Sequence, residues 1–214
     1  MRTYGDGCSS AHALDLVGER WALLIVRDLL FGPKRFTDLR AGLPQSSPNV
    51  LTHRLRELES SGVVRRRRLP PPASTTVYEL TEWGAELEPI LMGLQRWGAG
   101  SPSFPHDVAV GCDAAMLALK NGFSPGAAAG FRAVVEVRFD AGTFGVIVDD
   151  PSIAINRGSA DHPDASVATD PGTLEEIAFG PRSIVSAERS GALHVEGDRR
   201  VVERFFALFP LPDD

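Results

Sequence analysis

Residues 47–80, SPNVLTHRLRELESSGVVRRRRLPPPASTTVYEL, constrain the fold of this chain more than any other stretch. The Ser47 hydroxyl suits a helix N-cap, and Pro48 suits the first helical position, where a missing N–H costs nothing. Leu51, Leu55 and Leu58 repeat at spacings of four and three and form one buried stripe. At about 100° per residue, Asn49, Thr52, His53 and Arg56 gather on the opposite face. Gly62 stops the helix. The β-like runs Val63 to Leu69 and Thr75 to Leu80 then flank Pro70-Pro71-Pro72-Ala73-Ser74, which predicts a hairpin with a stiff, extended tip.

A polar helix face followed directly by a basic hairpin suits a polyanion. Asn pairs well with adenine, Arg with guanine, and Thr and His with either a base edge or a phosphate. Arg54 on the same helix and Arg65, Arg66, Arg67 and Arg68 in the hairpin join the candidates. Period-two alternation puts Arg65 and Arg67 on one face with Val63 and Leu69, and Arg66 and Arg68 on the other with Val64. All four cannot reach one phosphate, so two are expected on DNA and the others solvated or paired with acidic side chains. Phe36 to Ala41 predicts a short helix closed by Gly42, which with the following turn and helix completes a helix-turn-helix pattern, the hairpin serving as a wing. A plain amphipathic surface helix would show the same stripe. Charge is distributed accordingly: the chain carries −6 at pH 7, yet residues 20–68 hold 11 basic against 4 acidic side chains, and residues 101–214 hold 9 against 17.

Ser9 or Ser10 is positioned to cap a short helix through Val17, and Glu19 to Leu30 predicts a helix apolar on almost every face, hence buried nearly all round. Thr81 caps a helix in which Leu87, Ile90, Leu91, Leu94 and Trp97 recur at helical spacing, a stripe for either the chain's own core or a partner helix in a dimer. Residues 99–107, AGSPSFPHD, read as a linker between domains 1–98 and 108–214. Cys8 and Cys112 offer neither a disulfide framework nor a zinc spacing, which fits a reducing cytoplasm. No apolar run approaches bilayer length and no export signal is evident, so no membrane is expected. Phosphate-binding glycine loops, nucleophile elbows and His-Glu-x-x-His helices are missing, so no enzyme activity, cofactor or metal is expected. Asp161, His162 and Asp164 read as an exposed loop.

CSSAHALDLVGERWALLIVRDLLFGPKRFTDL, LTHRLRELESSGVVRRR, VYELTEWGAELEPIL and the closing RWG resemble the HxlR-type winged helix-turn-helix transcriptional regulators of bacteria over residues 8–98. The resemblance implies a homodimer on an inverted-repeat operator, with the Pro48 to Ser60 helix in the major groove and the hairpin as wing; repression is the expected outcome of binding. LPQSSPN departs from the pattern, since a proline leads into the recognition helix and bears on how Asn49 docks. Some members of the family carry a redox-sensing cysteine at the start of the first helix. Cys8 stands there, where a helix N-terminus favours the thiolate; with no second cysteine near it, an inert thiol is the simpler reading.

Beyond the linker, Cys112 to Asn121 predicts a helix, and Ala133 to Phe139, Thr143 to Val148, Ser152 to Arg157 and Ala165 to Thr169 predict strands. Val135, Val137 and Phe139, then Phe144, Val146 and Val148, alternate with other residues and give the sheet one apolar face. Helices over 172–179 and 183–190, a strand Leu193 to Glu196 and a helix Arg199 to Phe209 follow. The expected class is α+β, with helices on one face of a largely antiparallel sheet. ASVATDPGTLEEIAFG and SGALHVEGDRRVVERFFALF resemble the sterol-carrier-protein family over roughly residues 108–210. That resemblance implies an apolar tunnel for a small hydrophobic ligand, with Met116, Phe131, Val135, Val137, Phe144, Phe179, Phe205 and Phe209 as lining; a filled core is the alternative. The combined expectation is a DNA-binding regulator fused to a sterol-carrier-like domain, and the runner-up is a lipid-carrier or interaction module without specific DNA binding.

Overall fold

The computed structural model describes residues 3–105 and 108–210. The chain forms two compact units, Met1–Pro102 and Ser103–Asp214. The expected linker straddles that division: Ala99 is still helical, and residues 106 and 107 lie outside the described residues.

The first unit contains helices α1 (Ser9–Val17), α2 (Ala22–Leu29), α3 (Phe36–Gly42) and α4 (Pro48–Ser60), strands β1 (Val64–Arg68) and β2 (Thr76–Leu80), and helices α5 (Glu82–Ala85) and α6 (Glu88–Ala99). Its core includes Ile25, Val26, Leu29, Leu39, Leu51, Leu55 and Leu58, so the leucine stripe of α4 packs inward as its spacing demands. Ser47 caps α4 by accepting from the Val50 N–H at 3.3 Å, with Pro48 first in the helix.

Three local expectations require correction. Cys8, not a serine, is the N-cap of α1. Helix α2 starts only at Ala22, because Trp21 takes a left-handed φ of 79°, and Leu24 reaches solvent, so the helix is buried on one broad face rather than all round. Thr81 does cap a helix, accepting from the Gly84 N–H at 2.9 Å, but the run to Trp97 is two helices. Pro89 has no N–H to give the Ala85 carbonyl and its ring would crowd that carbonyl, so α5 ends there and α6 restarts at Glu88.

The β1–β2 hairpin is antiparallel, with Arg65 opposite Glu79, Arg66 opposite Tyr78 and Arg67 opposite Val77. On its other edge β2 is held by Lys34: each of Lys34 and Tyr78 donates its N–H to the other's carbonyl, at 2.9 and 2.8 Å. Lys34 is buried, and its ammonium lies 3.5 Å from the buried carboxylate of Asp28 on α2. The wing is therefore anchored to the segment between α2 and α3.

The second unit contains α7 (Cys112–Gly122), β3 (Arg132–Phe139), β4 (Gly142–Asp149), β5 (Ser152–Arg157), β6 (Ala165–Thr169), α8 (Pro171–Phe179), α9 (Ile184–Arg189), β7 (Leu193–Gly197) and α10 (Arg199–Phe206). The last helix ends three residues before the expected Phe209. The sheet order is β5-β4-β3-β6-β7, antiparallel except for the β3–β6 pair. Val135, Val137, Phe139, Phe144, Val146 and Val148 are all buried, as their alternation requires. Phe205 packs edge-to-face on Phe206 and Phe209, with ring centroids 5.5 and 5.2 Å apart, and Phe209 on Phe179 at 6.1 Å.

Candidate nucleic-acid interface

Helices α3 and α4, joined by the turn in which Ser46 donates its N–H and hydroxyl to the Leu43 carbonyl, form the helix-turn-helix of the first unit. With the leucine stripe of α4 packed inward, Asn49, His53 and Arg56 are exposed together on its far side and Thr52 is half-buried beside them. Thr52 donates its hydroxyl to the Pro48 carbonyl at 2.8 Å, within the helix itself. His53 lies 3.2 Å from the Glu57 carboxylate one turn on. Among the described residues Arg56 forms no ion pair, so its guanidinium is open to a phosphate or a guanine edge.

Arg54 departs from its expected role. Its side chain is only 15% exposed and its guanidinium is bound by Glu57 on the same helix and by Glu19 at 3.1 Å. Helical geometry explains the difference: Arg54 sits between the outward face and the buried stripe, close enough to the segment before α2 for Glu19 to claim it. Arg54 thus ties α4 to Glu19, and its side chain is less open to solvent than those of His53 and Arg56 beside it.

The wing arginines divide as period-two alternation requires. Arg65 and Arg67 share a face and both donate through Nε, each at 2.8 Å, to the two oxygens of Glu79. Arg66, on the other face, donates through Nε to Glu59 at the end of α4, also at 2.8 Å. Arg68, nearest the tip, makes no ion pair among the described residues. Burial works to raise the Glu79 pKa, but hydrogen bonds from Arg67 and Arg65, with their charges, overrule it and hold the carboxyl below its ordinary value. Glu59 holds the Arg66 guanidinium above its ordinary value. Sequence reasoning named the arginines and missed Glu79, Glu59, Glu57 and Glu19. Of these, Glu79 alone carried a readable signal, since pairing the strands about the 70–74 tip sets it opposite Arg65.

Cys8 is exposed at the N-terminus of α1, and the backbone N–H groups of Ala11 and Ser10, then the Ser10 hydroxyl, lower its thiol pKa. Among the described residues of the second unit, most of the side chains expected to line a tunnel are sealed from solvent. A side chain bordering a space wide enough for a lipid keeps surface that a water-sized sphere can reach, and Met116, Val135, Val137, Phe144 and Phe205 keep none. Phe209 is 2% exposed and Phe131 and Phe179 are half-buried. Volume decides this: the phenylalanines interlock edge-to-face and consume the space that the apolar sheet face and its covering helices enclose. Among the described residues no helix is long and apolar enough to cross a membrane, and no group of three His, Cys, Asp or Glu side chains could hold a metal ion.

The profile of the HxlR-like helix-turn-helix family matches residues 16–103. The chain is 43% identical over 94 residues to the Bacillus subtilis protein named Uncharacterized HTH-type transcriptional regulator YvaP, covering 43% of this chain and 87% of that one. It is 39% identical over 85 residues to the HTH-type transcriptional regulator YodB of the same organism, covering 40% and 76%. The solved reduced form of YodB aligns with 34% identity over 46% of this chain and 97% of that one, at a TM-score of 0.41. With most of the length of these relatives covered at such identity, the chain belongs to the HxlR-like helix-turn-helix family.

Proposed function

We propose that this chain is a DNA-binding transcriptional regulator that catalyses no reaction and acts as a homodimeric repressor on an inverted-repeat operator. The observation that carries the reading is the conjunction of an outward α4 face holding Asn49, His53 and Arg56 with an adjoining wing of four arginines, all on one anchored framework. A helix in the major groove with a basic hairpin beside it reads base edges with the one and phosphates with the other.

The dimer is supported by apolar surface that the first unit leaves uncovered. Ile90, Leu94 and Trp97 stand along α6 at 53%, 43% and 82% exposure, and Leu14 and Trp83 are exposed on α1 and α5. A groove of about 200 Å³ lined by Leu16, Val17, Val63, Trp83, Leu87 and Ile90 adjoins that stripe. Exposed apolar surface of this extent marks an interface, and two-fold symmetry in the protein demands a two-fold repeat in the DNA. Repression follows if the bound dimer occludes a promoter. In the second unit, an α+β sheet with one apolar face supports kinship with sterol-carrier domains in architecture, with the core filled.

Selection of bound sequences from random duplex DNA tests the reading. An inverted repeat recovered by the full-length protein is the expected result; recovery of no preferred sequence would leave no operator to regulate.

A further inference from the structure

We propose that Glu79 is a positioning residue of the wing, a carboxylate that holds Arg65 and Arg67 so that their terminal nitrogens are presented to DNA phosphates. The inference rests on the DNA-binding reading above. Its motive is the way the contacts are made. A carboxylate free to choose takes an arginine fork through two nitrogens, whereas Glu79 meets both guanidinia through Nε alone, one on each oxygen at 2.8 Å. Arg66 is held to Glu59 in the same manner. Among the described residues no terminal nitrogen of the three makes a hydrogen bond, so each guanidinium keeps its outer donors for a ligand.

The placement of the acid supports the same role. Glu79 is 12% exposed at its side chain, against 64% for Arg65 and 45% for Arg67, so the negative charge lies beneath the two cations and an incoming phosphate meets guanidinium first. Strand register enforces this, because Arg65 is directly opposite Glu79 and Arg67 is its diagonal neighbour. Arginine side chains lose much rotamer freedom when they are immobilised, and a partner that orders them beforehand removes that cost from binding. Glu79 also prevents the guanidinia from repelling each other apart.

The test uses the full chain, mixed-sequence duplex DNA as probe, and affinity measured across a salt series. Each phosphate contact contributes about 0.9 to the slope of log affinity against log salt, so Arg65→Gln with Arg67→Gln should flatten it by about 1.8 per bound copy. Glu79→Gln removes a negative charge from the wing, which Coulomb attraction alone would reward with tighter binding. Positioning predicts the opposite, binding weakened by about threefold to tenfold, and no weakening when Glu79→Gln is added to the doubly substituted arginine background. Nitrogen-15 spectra of the free protein provide a reading independent of DNA: the Arg65 and Arg67 Nε–H signals should be protected in the unaltered chain and released by Glu79→Gln, with Arg66 unmoved. Unchanged or tighter binding by Glu79→Gln, a loss that persists in the background lacking Arg65 and Arg67, or unprotected Nε–H signals would overturn the proposal while leaving DNA binding intact. Failure of the unaltered chain to bind duplex DNA at all would overturn the DNA reading and this proposal with it.

Discussion

Trp97 gives the sharpest test of the dimer, because it contributes almost nothing to the fold of a single copy. It is 82% exposed on α6, so Trp97→Ser should change the stability of an isolated copy by no more than about 0.5 kcal/mol. An indole buries about 150–250 Å², and covering this one in an interface would remove roughly 120–200 Å² from water. At about 25 cal/mol per Å² that is about 3–5 kcal/mol, an upper bound. Partial coverage and the ordering of interface side chains reduce it to about 2 kcal/mol per copy. A two-fold dimer loses the contribution twice, about 4 kcal/mol, so its dissociation constant should rise about a thousandfold. Sedimentation equilibrium over a range of protein concentrations reads this directly, with circular dichroism to confirm that the helices persist. An unchanged dissociation constant would refute the reasoning and place the interface away from α6. Leu94→Asp serves as a companion, whereas Leu91→Asp does not, because Leu91 is buried at 6% exposure and a charge there would damage the fold itself.

In the second unit, Phe205→Ala should cost about 3–5 kcal/mol in denaturant unfolding, since the ring is fully buried among Phe206 and Phe209; a loss below 1 kcal/mol would indicate space already available beside it. Val137→Trp should likewise destabilise the unit by overpacking rather than fill a vacant tunnel. Cys8 should react with iodoacetamide at neutral pH faster than a free cysteine thiol, because backbone N–H groups stabilise its thiolate; equal rates would remove the basis for a redox role. The folded Glu79 carboxyl titrates below its ordinary value of 4.5, so its contribution to wing stability is complete above that pH and is lost as pH falls through the depressed value. Protection of the wing amides from hydrogen exchange should therefore hold at pH 5 and fade in stronger acid, and fading already at pH 6 would contradict the assignment.

Features that depend on a few consecutive residues were legible in the sequence. The Ser47-Pro48 start of α4, its leucine stripe, the hairpin about Pro70-Pro71-Pro72 and the span of β5 follow from capping, periodicity and turn chemistry, and each involves neighbours along the chain. Pro89 is equally local: a proline without an N–H inside that apolar spacing marks the break between α5 and α6. What required tertiary structure was the pairing of side chains distant in sequence. Glu19 captures Arg54 across 35 residues, Glu79 gathers Arg65 and Arg67, and Glu59 reaches Arg66. A run of arginines announces positive charge, but which guanidinia face outward depends on where carboxylates from other elements arrive. The filled interior of the second unit belongs to the same class: alternation shows that Val135, Val137 and Phe144 turn inward, while the room left between them depends on how Phe179, Phe205 and Phe209 from two other segments pack, and packing volume is a property of three dimensions.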